Sequence, residues 1–292
     1  MRNYRYLIYT YMKTVLPALL VCLAGECVER ELTERPADGV LRVDFRWPEE
    51  CEPDGTQVFI HTPDGTLYTS QSCDAYSHEF RLPRGVYSIR SVNTGPVNAD
   101  CTDASVIRAR TDPAKGTLLN VGNVCCTGAD GITVEAGGEP TGIVLHHRNA
   151  VRTIRFELDT EEIGPFETME LRLTGIVPSV RVSDGSDAGE PEGAVETTVE
   201  VETDSRNVSA TRHTASMSVF GWRGSNTLTA TVHRAGGTVE TTLLQEIGSL
   251  LDELSDSGGT VRITLRLPDG GEIGVSVTVS FWQEGTGSGS VG

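Results

Sequence analysis

Leu41-Arg42-Val43-Asp44-Phe45-Arg46-Trp47 alternates apolar and charged side chains without a break. That period of two marks a half-buried β-strand, because successive side chains on a strand leave opposite faces of the sheet. The same reading predicts strands at residues 56–61, 66–69, 79–82 and 86–92. In the second half it predicts 153–159, 169–175, 197–202, 215–220, 227–233, 261–267 and 273–282. Pro53-Asp54-Gly55, Pro63-Asp64-Gly65 and Pro268-Asp269-Gly270 punctuate the strands, with proline fixing φ and glycine tolerating positive φ. None of these glycines opens a helical pattern, so they are turns and not phosphate loops. One helix is expected between Thr242 and Ser255, where Leu243, Leu244, Ile247, Leu250, Leu251 and Leu254 form an apolar stripe. The fold class that follows is all-β: two β-sandwiches in tandem, with one short helix in the second.

Ahead of the first strand, Arg2, Arg5 and Lys13 precede the apolar run from Val15 to Gly25. A membrane-spanning helix needs ~20 apolar residues, whereas the core of an export signal needs ~7–15. The run is therefore read as a signal peptide over residues 1–27, with translation starting at Met1 or, more in keeping with a short charged leader, at Met12. Cys27 follows the run and opens a polar stretch, which resembles a bacterial lipoprotein whose cysteine takes acyl chains after cleavage. Several chains on one residue give durable attachment, since each buried methylene contributes about 0.8 kcal/mol. Cys27 is the expected lipidation site because the charged segment 28–38 begins right after it as a tether. Cys22 is the alternative.

The 292 residues suffice for two domains, expected at 39–138 and 139–284, with a linker near 137–142 and a Gly/Ser tail at 285–292. Cysteines support the division: Cys51, Cys73, Cys101, Cys125 and Cys126 all lie in the first half. Export makes them candidate disulfide partners, with the pairing open and one thiol left over. With 41 Asp+Glu against 24 Lys+Arg, the net charge of -17 argues against nucleic acid as a partner.

Candidates for chemistry are thin. His146-His147 are neighbours on a strand and point to opposite faces, so they do not chelate one ion together. No Cys-x-x-Cys spacing and no Gly-x-Ser-x-Gly elbow occurs. Around His61, His78, His213 and His233 there is no catalytic motif. Asp184, Asp187 and Glu190 lie in a Gly/Asp-rich stretch whose spacing departs from the EF-hand loop, and it reads as a solvated loop. No metal, cofactor or enzymatic activity is expected. Trp47, Trp222 and Trp282 offer a binding alternative, a surface lipoprotein whose aromatics stack on glycan rings, against the commoner fate of tryptophan buried in a sandwich.

Three stretches resemble the fimbrillin-like lipoproteins of Bacteroidales, a group that includes fimbrium anchor proteins. They are Cys27-Val28-Glu29-Arg30-Glu31-Leu32 with the strand after it; Arg81-Leu82-Pro83-Arg84-Gly85-Val86-Tyr87-Ser88-Ile89, similar to a Leu-Pro-x-Gly-x-Tyr hairpin; and His147-Arg148-Asn149-Ala150-Val151-Arg152-Thr153-Ile154-Arg155-Phe156, similar to the strand opening the second domain. The resemblance implies two transthyretin-like sandwiches, a lipid anchor in the outer membrane and surface exposure. It also implies a fimbrium anchor or accessory subunit that joins other fimbrial subunits by strand pairing. The segment it nominates for strand exchange carries Ile273, Val275, Val277, Val279 and Phe281 on one face; the alternative is that this is the last strand of the chain's own sheet.

Overall fold

The computed structural model describes residues 38–51, 53–200, 212–237, 239–241, 245–266 and 274–280. The signal, most of the tether, the tail, Cys22 and Cys27 lie outside them. The first half contributes β1 (Asp38–Arg46), β2 (Thr56–His61), β3 (Leu67–Cys73), β4 (Ser77–Pro83), β5 (Gly85–Asn93), β6 (Ala99–Asp100), β7 (Val106–Ala109), β8 (Cys125–Val134), β9 (Thr141–His146) and β10 (Arg148–Asn149). The second contributes β11 (Arg152–Asp159), β12 (Thr168–Ile176), β13 (Ser179–Arg181), β14 (Gly193–Glu200), β15 (Arg212–Val219), β16 (Thr227–His233), β17 (Val239–Thr241), β18 (Gln245–Glu246), a four-residue helix α1 (Gly248–Leu251), β19 (Gly258–Arg266) and β20 (Gly274–Ser280).

The first sandwich packs sheet β4-β1-β9 on sheet β10-β8-β5-β2-β3. Leu41, Val43 and Phe45 from β1 meet Val58 and Ile60 from β2, Ile89 from β5 and Val134 from β8, all at most 1% exposed. Arg42 and Arg46 take the solvent face, as the alternation requires. Gly39 is fixed by close approach: a Cβ there would sit 2.1 Å from the Glu135 carbonyl oxygen. The Leu82-Pro83-Arg84-Gly85-Val86-Tyr87 stretch carries the chain from one sheet to the other, and the Tyr87 hydroxyl donates to the Pro83 carbonyl at 2.8 Å to staple that corner.

The second sandwich packs β15-β11-β19-β20 on β14-β12-β16-β17, with β18 also paired to β16. Ile154, Phe156 and Leu158 from β11 face Met169, Leu171 and Leu173 from β12. A bulge separates Thr174 from Ile176 in the β12–β14 register. Gly175 adopts φ 72° there, and the buried Asn226 amide donates to the Thr174 and Gly175 carbonyls at 3.0 Å.

A third sheet, β13-β7-β6, is built from both halves of the chain. It lies over the face of β2 and β5 turned away from the first core. Phe59, Val92, Ile107 and Cys126 pack there with Val151, Val180, Val182 and Phe220. The strand β2 is consequently buried on both faces, which is why it reads as Val58-Phe59-Ile60 without a polar break.

Two expectations need correction. The strand β9, placed after the anticipated divide at 138 and 139, pairs in parallel with β1, from Leu41↔Thr141 to Arg46↔His146. Strand pairing therefore keeps the chain in the first sandwich through Asn149. The anticipated helix at 242–255 is also far shorter. The Glu246 carboxylate accepts from the backbone N–H groups of Asn226 and Gly248, which holds the chain in a turn, and only one helical turn follows. Ile247, Leu251 and Leu254 still reach the core, as the stripe demands.

Candidate functional site

The edges of a sheet carry unpaired N–H and C=O groups with which another chain can pair. β1 is not such an edge. It pairs antiparallel with β4 and parallel with β9, so its backbone is satisfied on both sides. β20 is the outer strand of its sheet and pairs antiparallel with β19, which sets Val275, Val277 and Val279 opposite Leu265, Ile263 and Val261. Among the described residues its second edge has no strand beside it. Ile273 and Phe281, the ends of the nominated exchange segment, lie outside the described residues.

The acidic stretch is a partly exposed loop, as expected, but its carboxylates are held in ion pairs. Arg223 donates to the Asp187 carboxylate and to the Glu190 carbonyl. Arg108, from the first half, donates through Nε to Glu190 at 2.8 Å and through Nη1 to Asp103 at 3.1 Å. Asp187 and Glu190 are thus each paired with a guanidinium group, that of Glu190 coming from the first half of the chain, while Asp184 accepts from the Ser186 N–H at 3.0 Å. Among the described residues no group of three His, Cys, Asp or Glu side chains is placed to hold a metal ion. The sequence hid this clamp, because Arg108 and Glu190 are 82 residues apart.

Of the cysteines, Cys51 and Cys125 are joined as a disulfide, while Cys73, Cys101 and Cys126 are free thiols. Burial pushes the Cys101 and Cys126 thiols up to about 12, and Cys73 up to about 11. Of the described tryptophans, Trp47 stacks on His147 with ring centroids 3.6 Å apart, and Trp222 packs on the second core with Arg152 over its ring. Trp282 lies outside the described residues.

His146 is exposed and His147 buried, so the pair splits across the strand as expected. The His147 ring contacts the Ser91 hydroxyl at 2.9 Å through Nε2 and the Arg46 carbonyl at 3.3 Å through Nδ1. That carbonyl can only accept, so Nδ1 carries the proton and Nε2 accepts from Ser91. Burial lowers His147 from 6.5 to about 4. The folded form then binds fewer protons than the unfolded chain between those values, and stability is lost as pH falls from about 6.5 toward 4. The loss from this one group is about 3 kcal/mol at most. Urea titrations at pH 7 and pH 4.5 are expected to show a larger drop for the native chain than for His147→Asn; equal drops would refute the assignment.

No protein-family model matches the sequence, and no curated protein matches it either. Solved structures do match in fold. A Bacteroides ovatus protein described as a candidate adhesin aligns with a TM-score of 0.61 at 12% identity, covering 84% of this chain and 95% of that one. The fimbrial anchor protein Mfa2 from Porphyromonas gingivalis aligns with a TM-score of 0.55 at 14% identity, covering 84% and 98%. A Bacteroides thetaiotaomicron protein described as a candidate polysaccharide-binding protein aligns at 0.53 with 11% identity, covering 84% and 99%. The fold is therefore the tandem β-sandwich that these Bacteroides and Porphyromonas proteins share. Within that fold, the neighbours are adhesin-type and fimbrial proteins, in line with the resemblance read from the sequence.

Proposed function

We propose that the chain is a non-enzymatic, lipid-anchored protein of the bacterial outer-membrane surface, serving as an anchor or accessory subunit of a fimbrium. The observation that carries this reading is the state of β1. Its first core-facing residues, Leu41 and Val43, are fully buried, and neighbours on both sides satisfy its backbone. Among the described residues the place of β1 is thus filled by the chain itself and is not open to a strand from another subunit. Growth of a polymer through that slot stops, which is what an end subunit beside a membrane must do. The apolar run ahead of Cys27 supports a lipid attached just before this domain, and the fold likeness to a fimbrial anchor protein supports the same role. Partner contact is assigned to the second sandwich, at the β20 edge, where an added strand gains main-chain hydrogen bonds.

Metabolic labelling with an alkynyl fatty acid tests the anchor. The native chain is expected to take the probe and to fractionate with outer membranes, and Cys27→Ala is expected to lose both properties. Absence of label with Cys22 and Cys27 both intact would falsify the anchoring. Co-purification with a polymerising β-rich subunit in mild detergent tests the fimbrial role; recovery of the labelled chain alone would argue against it.

A further inference from the structure

The connection from β7 to β8, residues 110–124, holds no named strand or helix, and connections of that length are uncommon in compact domains unless they have a function. It folds as a hairpin. The Asp112 N–H donates to the Thr117 carbonyl and the Gly116 N–H to the Asp112 carbonyl, both at 2.8 Å, while Asp112 Oδ1 accepts from the Ala114 N–H at 2.8 Å. The returning arm, residues 118–121, lies along the side of the second sandwich where β14 and β15, the outer strands of opposite sheets, meet.

Both edges are met by this one segment. The Leu118 N–H donates to the Ala194 carbonyl at 2.7 Å, which makes a one-residue parallel bridge to Val195, the first step of an added strand. Asn120 spans the seam: its Nδ2 donates to the Glu196 carbonyl of β14 at 3.3 Å, and its Oδ1 accepts from the Ser218 N–H of β15 at 3.0 Å. The Val121 N–H donates to the Ser218 carbonyl at 2.9 Å. Leu118 packs on the second core over bare backbone at Gly193, where a Cβ would stand 2.6 Å from its Cδ1. Lys115 pairs with Glu196 at 3.0 Å and with Glu170 at 3.5 Å.

We propose that residues 118–121 are an internal cap, which withholds the β14–β15 side of the second sandwich from strand pairing with other chains. Backbone pairing decides between a cap and a strand that merely extends the sheet. An added strand satisfies one edge and presents another, whereas this segment turns back to the first half of the chain. The Leu119 N–H donates to the Arg110 carbonyl, the Gly122 N–H donates to the Val97 carbonyl, and the Asn120 carbonyl accepts from Asn98 Nδ2, each at 2.8 Å. Thr117 and Val121, at either end of the arm, are 3% and 2% exposed, so it is seated and not laid loosely on the surface. The inference rests on these contacts alone and stands whether or not the chain belongs to a fimbrium.

A fluorescently labelled peptide with the sequence of residues 115–123 tests the cap, because it offers the same bonds from outside. Fluorescence anisotropy against the full chain is expected to show the peptide binding the double variant Leu118→Asp, Asn120→Ala about tenfold tighter than the native chain, or ~1.4 kcal/mol, since only the variant has released the edge. Thermal unfolding checks that the variant is folded; should it not be, Asn120→Ala alone carries the same comparison. Hydrogen exchange gives a second measure: with the Asn120 acceptor removed, the Ser218 N–H is expected to exchange about tenfold faster. Equal affinity of the peptide for native and variant chains would overturn the proposal, as would Ser218 exchange left unchanged by Asn120→Ala.

Discussion

Phe45→Ala is expected to destabilise the first sandwich by about 3–5 kcal/mol, the range for truncating a buried phenylalanine. The side chain is 1% exposed and sits at the end of β1 where the two sheets meet, with its ring 5.9 Å from His147. Its own N–H donates to the Tyr76 carbonyl at 2.8 Å, so the backbone holds its position and the neighbours cannot close in to fill the gap. At roughly 2–4 °C per kcal/mol for a domain of this size, the melting temperature falls by roughly 6–20 °C. Arg42→Ala on the same strand is the control. Arg42 faces solvent and pairs only with Asp44 at 3.5 Å, so its loss stays within about 0.5 kcal/mol. Urea unfolding of both variants measures the difference. Equal, small effects would mean that β1 is not locked into the core, and the end-subunit role would lose its physical basis.

The contrast between Phe45 and Arg42 is also why the sandwiches were readable in the sequence. Alternation is imposed wherever one face of a strand is buried and the other wet, so β1, β11 and β16 announce themselves. Strands that escape the rule were missed. β8 runs Cys125-Cys126-Thr127-Gly128-Ala129-Asp130-Gly131-Ile132-Thr133-Val134, with a bulge against β5 and two glycines, and no steady period survives. The strands β6, β7 and β13 are two to four residues long, too short for any period, and they exist because two distant segments meet. The ion clamp on the acidic loop depends on the same meeting. The glycines and carboxylates of residues 183–193 are those of a solvated loop, and only the tertiary placement of Arg108 and Arg223 makes them a seam.

Removing the disulfide is expected to have an effect of the same order. Cys51 and Cys125 are separated by 74 residues, and their Cα atoms lie 6.6 Å apart. Closing a loop of that length removes denatured-state entropy worth about 4.5 kcal/mol in the chain-entropy description. Cys51→Ser, read by urea unfolding without reductant, is expected to lose about that much. A thiol reductant should then lower the native chain to the level of the variant and leave the variant unchanged. The bond is also expected to stay where it is. Exchange onto the adjacent Cys126 requires its thiolate, and burial pushes that thiol up to about 12, while the side chain belongs to the buried cluster under the third sheet. Peptide mapping under non-reducing conditions should therefore recover Cys51 linked to Cys125 alone, with Cys126 alkylated only after denaturation. Recovery of a Cys51–Cys126 link in the folded protein would show that the interior around Cys126 opens, and with it the packing that joins the two sandwiches.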